Sequence, residues 1–134
     1  MIESTCAIIK PDALKNLQAG QIISLIELNK FVIERLEKVH ITRTQAEAFY
    51  AVHKERPFFG ELVSYMTSGF VIIMELKKEN AVQEWRNLMG ATDPVKAHVG
   101  TIRYMFGTHI GSNATHGSDS VDNAKTELKI FFAE

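Results

Sequence analysis

Phe70-Val71-Ile72-Ile73-Met74-Glu75-Leu76 is the stretch on which the fold turns. The run is too short for most helices and too continuous for a strand with one wet face, so it reads as a strand buried at the centre of a sheet. On its N-terminal side, a helix is expected through Phe59, Leu62, Val63 and Met66, with Pro57 punctuating ahead of it and Gly69 ending it. Thr42 or Thr44 caps another helix, running through Ala46, Phe49, Tyr50 and His53. Residues 31–41 stay ambiguous: Val32, Ile33, Leu36 and Val39 fit a helical face, while their β-branched content and the Asn29-Lys30 break fit a strand. The spacing of Leu17, Ile22, Leu25, Ile26 and Leu28 predicts a helix over 17–29, and Thr5 to Ile9 is a strand running into a helix start at Pro11-Asp12. On the C-terminal side, Glu79 or Asn80 opens a helix with Ala81, Val82, Trp85 and Leu88 inward, closed by Gly90. Ala91 to Asn113 reads as one long irregular piece, a length usually functional or mobile, and Val121, Ala124, Leu128, Phe131 and Phe132 form a terminal amphipathic helix. The order of elements predicts an α+β sandwich, helices packed on a sheet.

A chain of 134 residues fits a single domain spanning 1–134, without repeats or an interdomain linker. Hydrophobic residues at 46% and charged residues at 23% exclude a disordered chain, and no apolar run approaches the ~20 residues that cross a bilayer. The first residues show no basic region leading into an apolar stretch, so a cytoplasmic location is expected. The single cysteine, Cys6, lies in an apolar run and reads as a reduced, buried thiol. A net charge of −1 gives no global attraction to nucleic acid or anionic membrane, so any anion site has to be local.

The sequence contains no G-x-x-x-x-G-K-[ST] loop, no G-x-G pair, no H-R-D and no H-E-x-x-H, which excludes the usual phosphate loops, dinucleotide fingerprints, protein-kinase signatures and zincin sites. The five histidines lack ligand spacing and cysteine partners, so no protein-held metal is expected. What stands out is Asn113-Ala114-Thr115-His116-Gly117-Ser118-Asp119-Ser120, one histidine among small, polar residues. Gly117 lets the backbone approach a ligand or take positive φ, and Ser118, Asp119 and Ser120 suit backbone amides and a helix cap. A histidine at the mouth of such a turn is compatible with a nucleophile, an acid/base, a metal ligand or a satisfied polar group, and these eight residues leave that open. Lys10, Tyr50, Arg56, Phe58, Arg86 and Arg103 also fall at element boundaries, where each has a plain surface or packing explanation. Arg103 is the most pointed, because Gly100-Thr101-Ile102-Arg103 puts a planar guanidinium fork in a glycine-marked loop suited to phosphate.

The block Asn113 to Ser120, centred on His116-Gly117-Ser118-Asp119-Ser120, resembles the active-site signature of the nucleoside diphosphate kinases. Ile9-Lys10-Pro11-Asp12, Arg56-Pro57-Phe58-Phe59, Met89-Gly90-Ala91-Thr92-Asp93-Pro94 and Gly100-Thr101-Ile102-Arg103 are similar to that family's other blocks, in the same order. The resemblance spans essentially the whole chain. It implies a ferredoxin-like α+β sandwich with a four-stranded antiparallel sheet, and transfer of the γ-phosphoryl group from a nucleoside triphosphate to a nucleoside diphosphate by a ping-pong route through a phosphohistidine. By that resemblance His116 is the nucleophile, through Nδ1, with Ser118 beside it in the signature and Glu127 as the carboxylate that contacts the histidine. Lys10 and Asn113 meet ribose hydroxyls, Lys10 also lying near the phosphates. Arg86, Thr92 and Arg103 hold the phosphates, and Tyr50 sits beside the transferring group. Phe58 stacks on the base, with Leu62 and Ile110 near it. The implied Mg²⁺ rides on the nucleotide, and the implied assembly is a homo-oligomer, tetramer or hexamer.

The chain departs from the family pattern at Tyr104-Met105, at Phe70 in place of a frequent proline and at His98-Val99, none of which removes a proposed catalytic group. Two other classes are weighed beside the enzyme. An RNA-recognition module is faintly echoed by Gly69-Phe70-Val71, but the preceding basic residue and alternating aromatics are missing. An inactive regulatory relative sits poorly with His116, Lys10, Arg86, Arg103 and Asn113 all present.

Overall fold

The computed structural model describes residues 1–132. In chain order it contains β1 (Ile2–Ile9), α1 (Pro11–Lys15), α2 (Ala19–Leu28), β2 (Val32–Val39), α3 (Arg43–Phe49), α4 (Phe59–Met66), β3 (Val71–Glu79), α5 (Ala81–Met89), α6 (Ile102–Phe106), β4 (Thr115–Gly117) and α7 (Val121–Phe131), with 3₁₀ turns at Ala51–His53 and Pro94–Lys96. The four strands form one sheet in the order β2-β3-β1-β4, every neighbour antiparallel. This is the ferredoxin-like α+β sandwich.

The continuous apolar runs of β1 and β3 follow from their central place, because helices cover both faces. Successive side chains alternate between faces. Ala7, Ile9, Ile72, Met74 and Leu76 point to one core with Ile22 and Ile26 of α2 and Trp85 and Met89 of α5. Cys6, Ile8, Val71 and Ile73 point to the other with Ala46 of α3, Val63 and Met66 of α4, and Leu128 of α7. β3 runs on to Glu79, beyond Leu76, since Lys77, Lys78 and Glu79 still pair with Ser4, Glu3 and Ile2.

The ambiguous 31–41 segment is the edge strand β2, paired from Val32↔Lys77 to Val39↔Val71. The partner strand, about forty residues away in sequence, decides it. The helix expected over 17–29 starts later, at Ala19, because Leu17 takes φ +60° and stands exposed between α1 and α2. Thr42 caps α3 through a full capping box with Gln45, but the helix stops at Phe49 and a 3₁₀ turn carries the chain through His53. α4 ends at Met66 with Thr67, not Gly69, as its cap. Gly90 does close α5, at φ +86°. The piece from Ala91 to Asn113 is less irregular than its composition implies: Asp93 caps the Pro94–Lys96 turn and Thr101 caps α6. Ser120 caps α7 by accepting from the Asn123 amide.

Candidate active site

His116 lies on β4 itself, opposite Ile8 of β1, and not at the mouth of a turn. Its ring leaves the sheet toward α3 and α7, with 23% of the side chain exposed. Phe49 packs edge-on against it, centroids 4.7 Å apart. Glu127, one turn from the end of α7, brings Oε1 to 3.2 Å from His116 Nε2. The same oxygen accepts from Ser118 Oγ at 2.6 Å, and Ser118 Oγ accepts from the Cys6 amide at 3.1 Å. Ser118 is fully buried, so the serine fixes the carboxylate and the carboxylate fixes the imidazole. Nε2–H donating to Glu127 leaves the lone pair on Nδ1. Burial lowers the imidazole pKa, the Glu127 carboxylate opposes that, and Lys10 and Arg103 add to the lowering. A neutral ring with a free nitrogen results.

Gly117 lines the cavity together with His116, but it does not take positive φ. The positive-φ glycines among the described residues are Gly90 and Gly100. A Cβ at Gly117 would fall 2.4 Å from Cδ1 of Trp85 and 2.6 Å from Cε of Met89. Glycine is there so that β4 can lie against the buried Trp85, whose Nε1 donates to the His116 carbonyl at 3.0 Å.

Three cations converge beside the histidine. Lys10, at the end of β1, donates from Nζ to Asn113 Oδ1 at 2.8 Å, and Asn113 donates from Nδ2 to the Thr92 carbonyl at 3.0 Å. Burial, together with Arg103 nearby, brings the Lys10 ammonium down to about 8, against a smaller opposing pull from Asp12. Arg103 on α6 is 9% exposed and gives its two terminal nitrogens to the carbonyls of Gly90 (3.0 Å) and Thr115 (2.9 Å). Its buried Nε has no hydrogen-bond partner, and burial followed by repulsion from Arg86 lowers its pKa to about 10. Arg86, exposed on α5, lines with His116, Glu127 and Tyr50 a cavity of about 360 Å³. Burial, and then Glu127, push the Tyr50 phenol upward, so it stays protonated as a donor.

The structure thus brings His116, Ser118, Glu127, Tyr50, Arg86, Lys10, Asn113 and Arg103 to one end of the sheet. Thr92 reaches the cluster through its carbonyl, its residue otherwise exposed. Phe58 stands apart, 42% exposed ahead of α4, its ring 5.4 Å from that of His53, which does line the cavity. Leu62 and Ile110 are not in the cavity wall; Ile110 is 60% exposed. Among the described residues no group of three or more His, Cys, Asp or Glu could hold a metal ion, and no helix is long and apolar enough to cross a membrane. Phe49, Trp85, Asp12 and Tyr65, all structurally tied to the site, carry no site signal in their local sequence beyond one weak case. That case is Asp12, an acid directly after Lys10-Pro11, and it reads equally well as a helix start.

A neutral, carboxylate-held imidazole near a half-buried lysine, a buried arginine and an exposed one, on a ferredoxin-like sandwich, defines a phosphotransferase that works through histidine. Known proteins of similar shape and sequence agree. The nucleoside diphosphate kinase family model matches residues 3–134. A nucleoside diphosphate kinase of Wolbachia pipientis from Culex pipiens is 53% identical over 133 residues, 99% of this chain and 96% of the relative, and one of Helicobacter hepaticus is 52% identical over 98% and 96%. The solved nucleoside diphosphate kinase of Aquifex aeolicus superposes with a TM-score of 0.96 at 39% identity, covering 99% of this chain and 96% of that one. That of Encephalitozoon cuniculi gives 0.95 at 38%, covering 98% and 90%. The chain belongs to the nucleoside diphosphate kinase family, and it transfers the γ-phosphoryl group of a nucleoside triphosphate to a nucleoside diphosphate. The RNA-module reading falls with the sheet, since β3 is covered by helices on both faces and offers no open aromatic surface.

Proposed function

We propose that His116 Nδ1 is the group that carries the phosphoryl. Its lone pair attacks the γ-phosphorus, the N–P bond forms as the bond to the β–γ bridging oxygen breaks, and the nucleoside diphosphate leaves with that oxygen. A terminal β-phosphate oxygen of the second nucleoside diphosphate then attacks the phosphorus, and the N–P bond breaks to restore the imidazole. The observation that carries this is the Nε2 contact to Glu127, which leaves the lone pair on Nδ1 of a ring close enough to Lys10 and Arg103 for both to lower its pKa. Glu127 also stabilises the positive charge that the ring gains once phosphorylated.

The other roles follow from charge and donor type. Arg86, Arg103 and the Thr92 hydroxyl meet the phosphates, Lys10 and Asn113 the ribose hydroxyls, with Lys10 also near the phosphates. The protonated Tyr50 sits beside the transferring group. Phe58 stacks on the base, with Leu62 and Ile110 at its edge. The basic donor set fits a nucleotide that arrives with Mg²⁺ already on its phosphates, which neutralises part of their charge when bound. Residues 1–134 act as one domain, located in the cytoplasm. The chain assembles as a homo-oligomer, tetramer or hexamer; Val32 and Leu36 on the free edge strand and Val95, Val99 and Tyr104 near α6 are the exposed apolar residues that support this. A strictly monomeric mass by light scattering at working concentration would exclude the assembly.

Incubation with ATP and Mg²⁺, without acceptor, tests the nucleophile. An acid-labile phosphoryl adduct on His116 is expected, and equal labelling of a His116→Ala variant would overturn the assignment.

A further inference from the structure

Four non-glycine residues among those described have positive φ, and Ala114 is the buried one. Its φ is +75°, and the Thr115 amide donates across it to the Asn113 carbonyl at 2.9 Å. That pattern is a γ-turn of the positive-φ kind, which is rare and strained for a residue carrying a Cβ. It joins Asn113 to Thr115, immediately before His116. Nothing in alanine favours this conformation, so the surroundings must impose it.

Both backbone groups of Ala114 are held from one short segment. The Lys10 amide donates to the Ala114 carbonyl at 2.8 Å, and the Ala114 amide donates to Asp12 Oδ2 at 3.1 Å. Asp12 is itself fixed from the opposite side: Tyr65 of α4 donates its hydroxyl to Asp12 Oδ1 and accepts from the Asp12 amide at 3.3 Å. The residues flanking the turn all belong to the site. Asn113 accepts from Lys10, the Thr115 carbonyl accepts from Arg103, and His116 follows on a strand only three residues long. If Ala114 relaxed to negative φ, all three would shift together.

We infer that Asp12, braced by Tyr65, is a positioning residue for phosphoryl transfer, holding the turn at Ala114 and through it the spacing between Asn113, Arg103 and His116. This rests on the assignment of His116 as the phosphoryl acceptor. Asp12 touches neither the imidazole nor the cations by hydrogen bond; it acts through the backbone.

The test is the single-turnover rate of His116 phosphorylation by ATP with Mg²⁺, measured beside nucleotide affinity and thermal unfolding. Asp12→Ala should slow phosphorylation about a hundredfold, the size of effect that a displacement near 1 Å produces, with a much smaller change in nucleotide affinity. Tyr65→Phe, which removes the brace and leaves the clamp, should slow it by roughly tenfold or less. Adding Ala114→Gly to Asp12→Ala should restore at least several-fold of the lost rate relative to Asp12→Ala alone, because glycine enters positive φ without penalty. A merely structural aspartate would show no such recovery. If Asp12→Ala does not fold, Asp12→Leu carries the same comparison, since it keeps the bulk and removes both accepting oxygens. A folded Asp12 variant phosphorylated within threefold of the unaltered protein overturns this inference alone, as does a loss that Ala114→Gly leaves untouched. An unaltered protein labelled elsewhere than on His116 overturns the nucleophile assignment, and this inference with it.

Discussion

Replacing Gly117 by alanine separates two reasons for a glycine beside His116. If conformational freedom were the reason, the cost would be that of forcing an L-residue into positive φ, about 1–2 kcal/mol. The structure gives a different cause: the new Cβ would meet Trp85 Cδ1 at 2.4 Å, Met89 Cε at 2.6 Å and Trp85 Nε1 at 2.7 Å. Trp85 is fully buried and cannot move without repacking, so the overpacking cost of about 1–3 kcal/mol applies. Displacing the indole also loses its hydrogen bond to the His116 carbonyl, roughly another 0.5–1.5 kcal/mol. The sum is about 1.5–4.5 kcal/mol. For 134 residues the entropy of unfolding is about 0.28 kcal/mol/K, so Tm should fall by roughly 5–16 °C. Trp85 is the chain's one tryptophan, and its emission should shift to the red as the ring leaves its site. Gly100→Ala is the control: φ there is +92° and nothing lies within 4 Å of where the new methyl would stand, so about 1–2 kcal/mol should be lost with unchanged emission. A Gly117→Ala protein within about 0.5 kcal/mol of the original, with the same tryptophan spectrum, would refute the packing argument.

Three further outcomes are expected. Lys10 is held to about 8, below the ordinary 10.5, so between those values the unfolded chain binds more protons and its contribution makes the free protein more stable as pH rises from 8. Phosphate beside it reverses the shift, so nucleoside diphosphate binding at pH 9 should take up close to about one proton per site, and calorimetry in two buffers of different ionisation enthalpy should show it; no uptake would contradict the placement of Lys10. Ser118→Ala strands the buried Cys6 amide and removes a donor from Glu127, which should lower stability by about 1–3 kcal/mol in a denaturant titration and reduce kcat more than it raises KM. In the proposed base site Phe58, Leu62 and Ile110 would supply a ring face and apolar surface without a fixed donor, so kcat/KM for the adenine, guanine, cytosine and uracil triphosphates should favour purines modestly; a preference for one base beyond about a thousandfold would require a polar base-reading group.

What the sequence reveals of this molecule is what local pattern controls. The centre of the sheet is visible in Val71–Leu76 and Thr5–Ile9 because burial on both faces leaves a nearly continuous apolar run, although Phe70, read as the start of the strand, stands half exposed ahead of it. Gly90 and Ser120 mark helix ends through backbone chemistry confined to a turn. β2 is not visible, because an edge strand exposes Val32 and Leu36 as a loose helix would, and only pairing with β3 decides it. The site divides in the same way. His116, Lys10 and Arg103 carry chemistry that their residue types announce, whereas the Asp12 clamp on Ala114 joins residues 102 apart and leaves no trace in either neighbourhood. Gly117 is the instructive case: its presence is legible and its cause is not, since that cause is the indole of Trp85 thirty-two positions earlier.

The same long-range packing explains how a chain without a glycine-rich phosphate loop grips a triphosphate. Lys10 and Arg103 are driven into the protein by the strand and helix that carry them, and both have their pKa values lowered first by burial. The hydrogen bonds of both go to neutral groups, an amide oxygen for the lysine and two carbonyls for the guanidinium, whose Nε has none, and Asp12 offsets only a smaller part of the lowering at Lys10. Charges held this way are under-solvated, so an anionic group gains more from meeting them than it would from solvated surface cations. On the proposed placement of the nucleotide, binding energy is concentrated at the phosphates, close to the atom that is transferred, and the half-exposed Phe58 offers a ring face that any base could use. Specificity for the phosphate chain and tolerance of the base are two results of one distribution of burial.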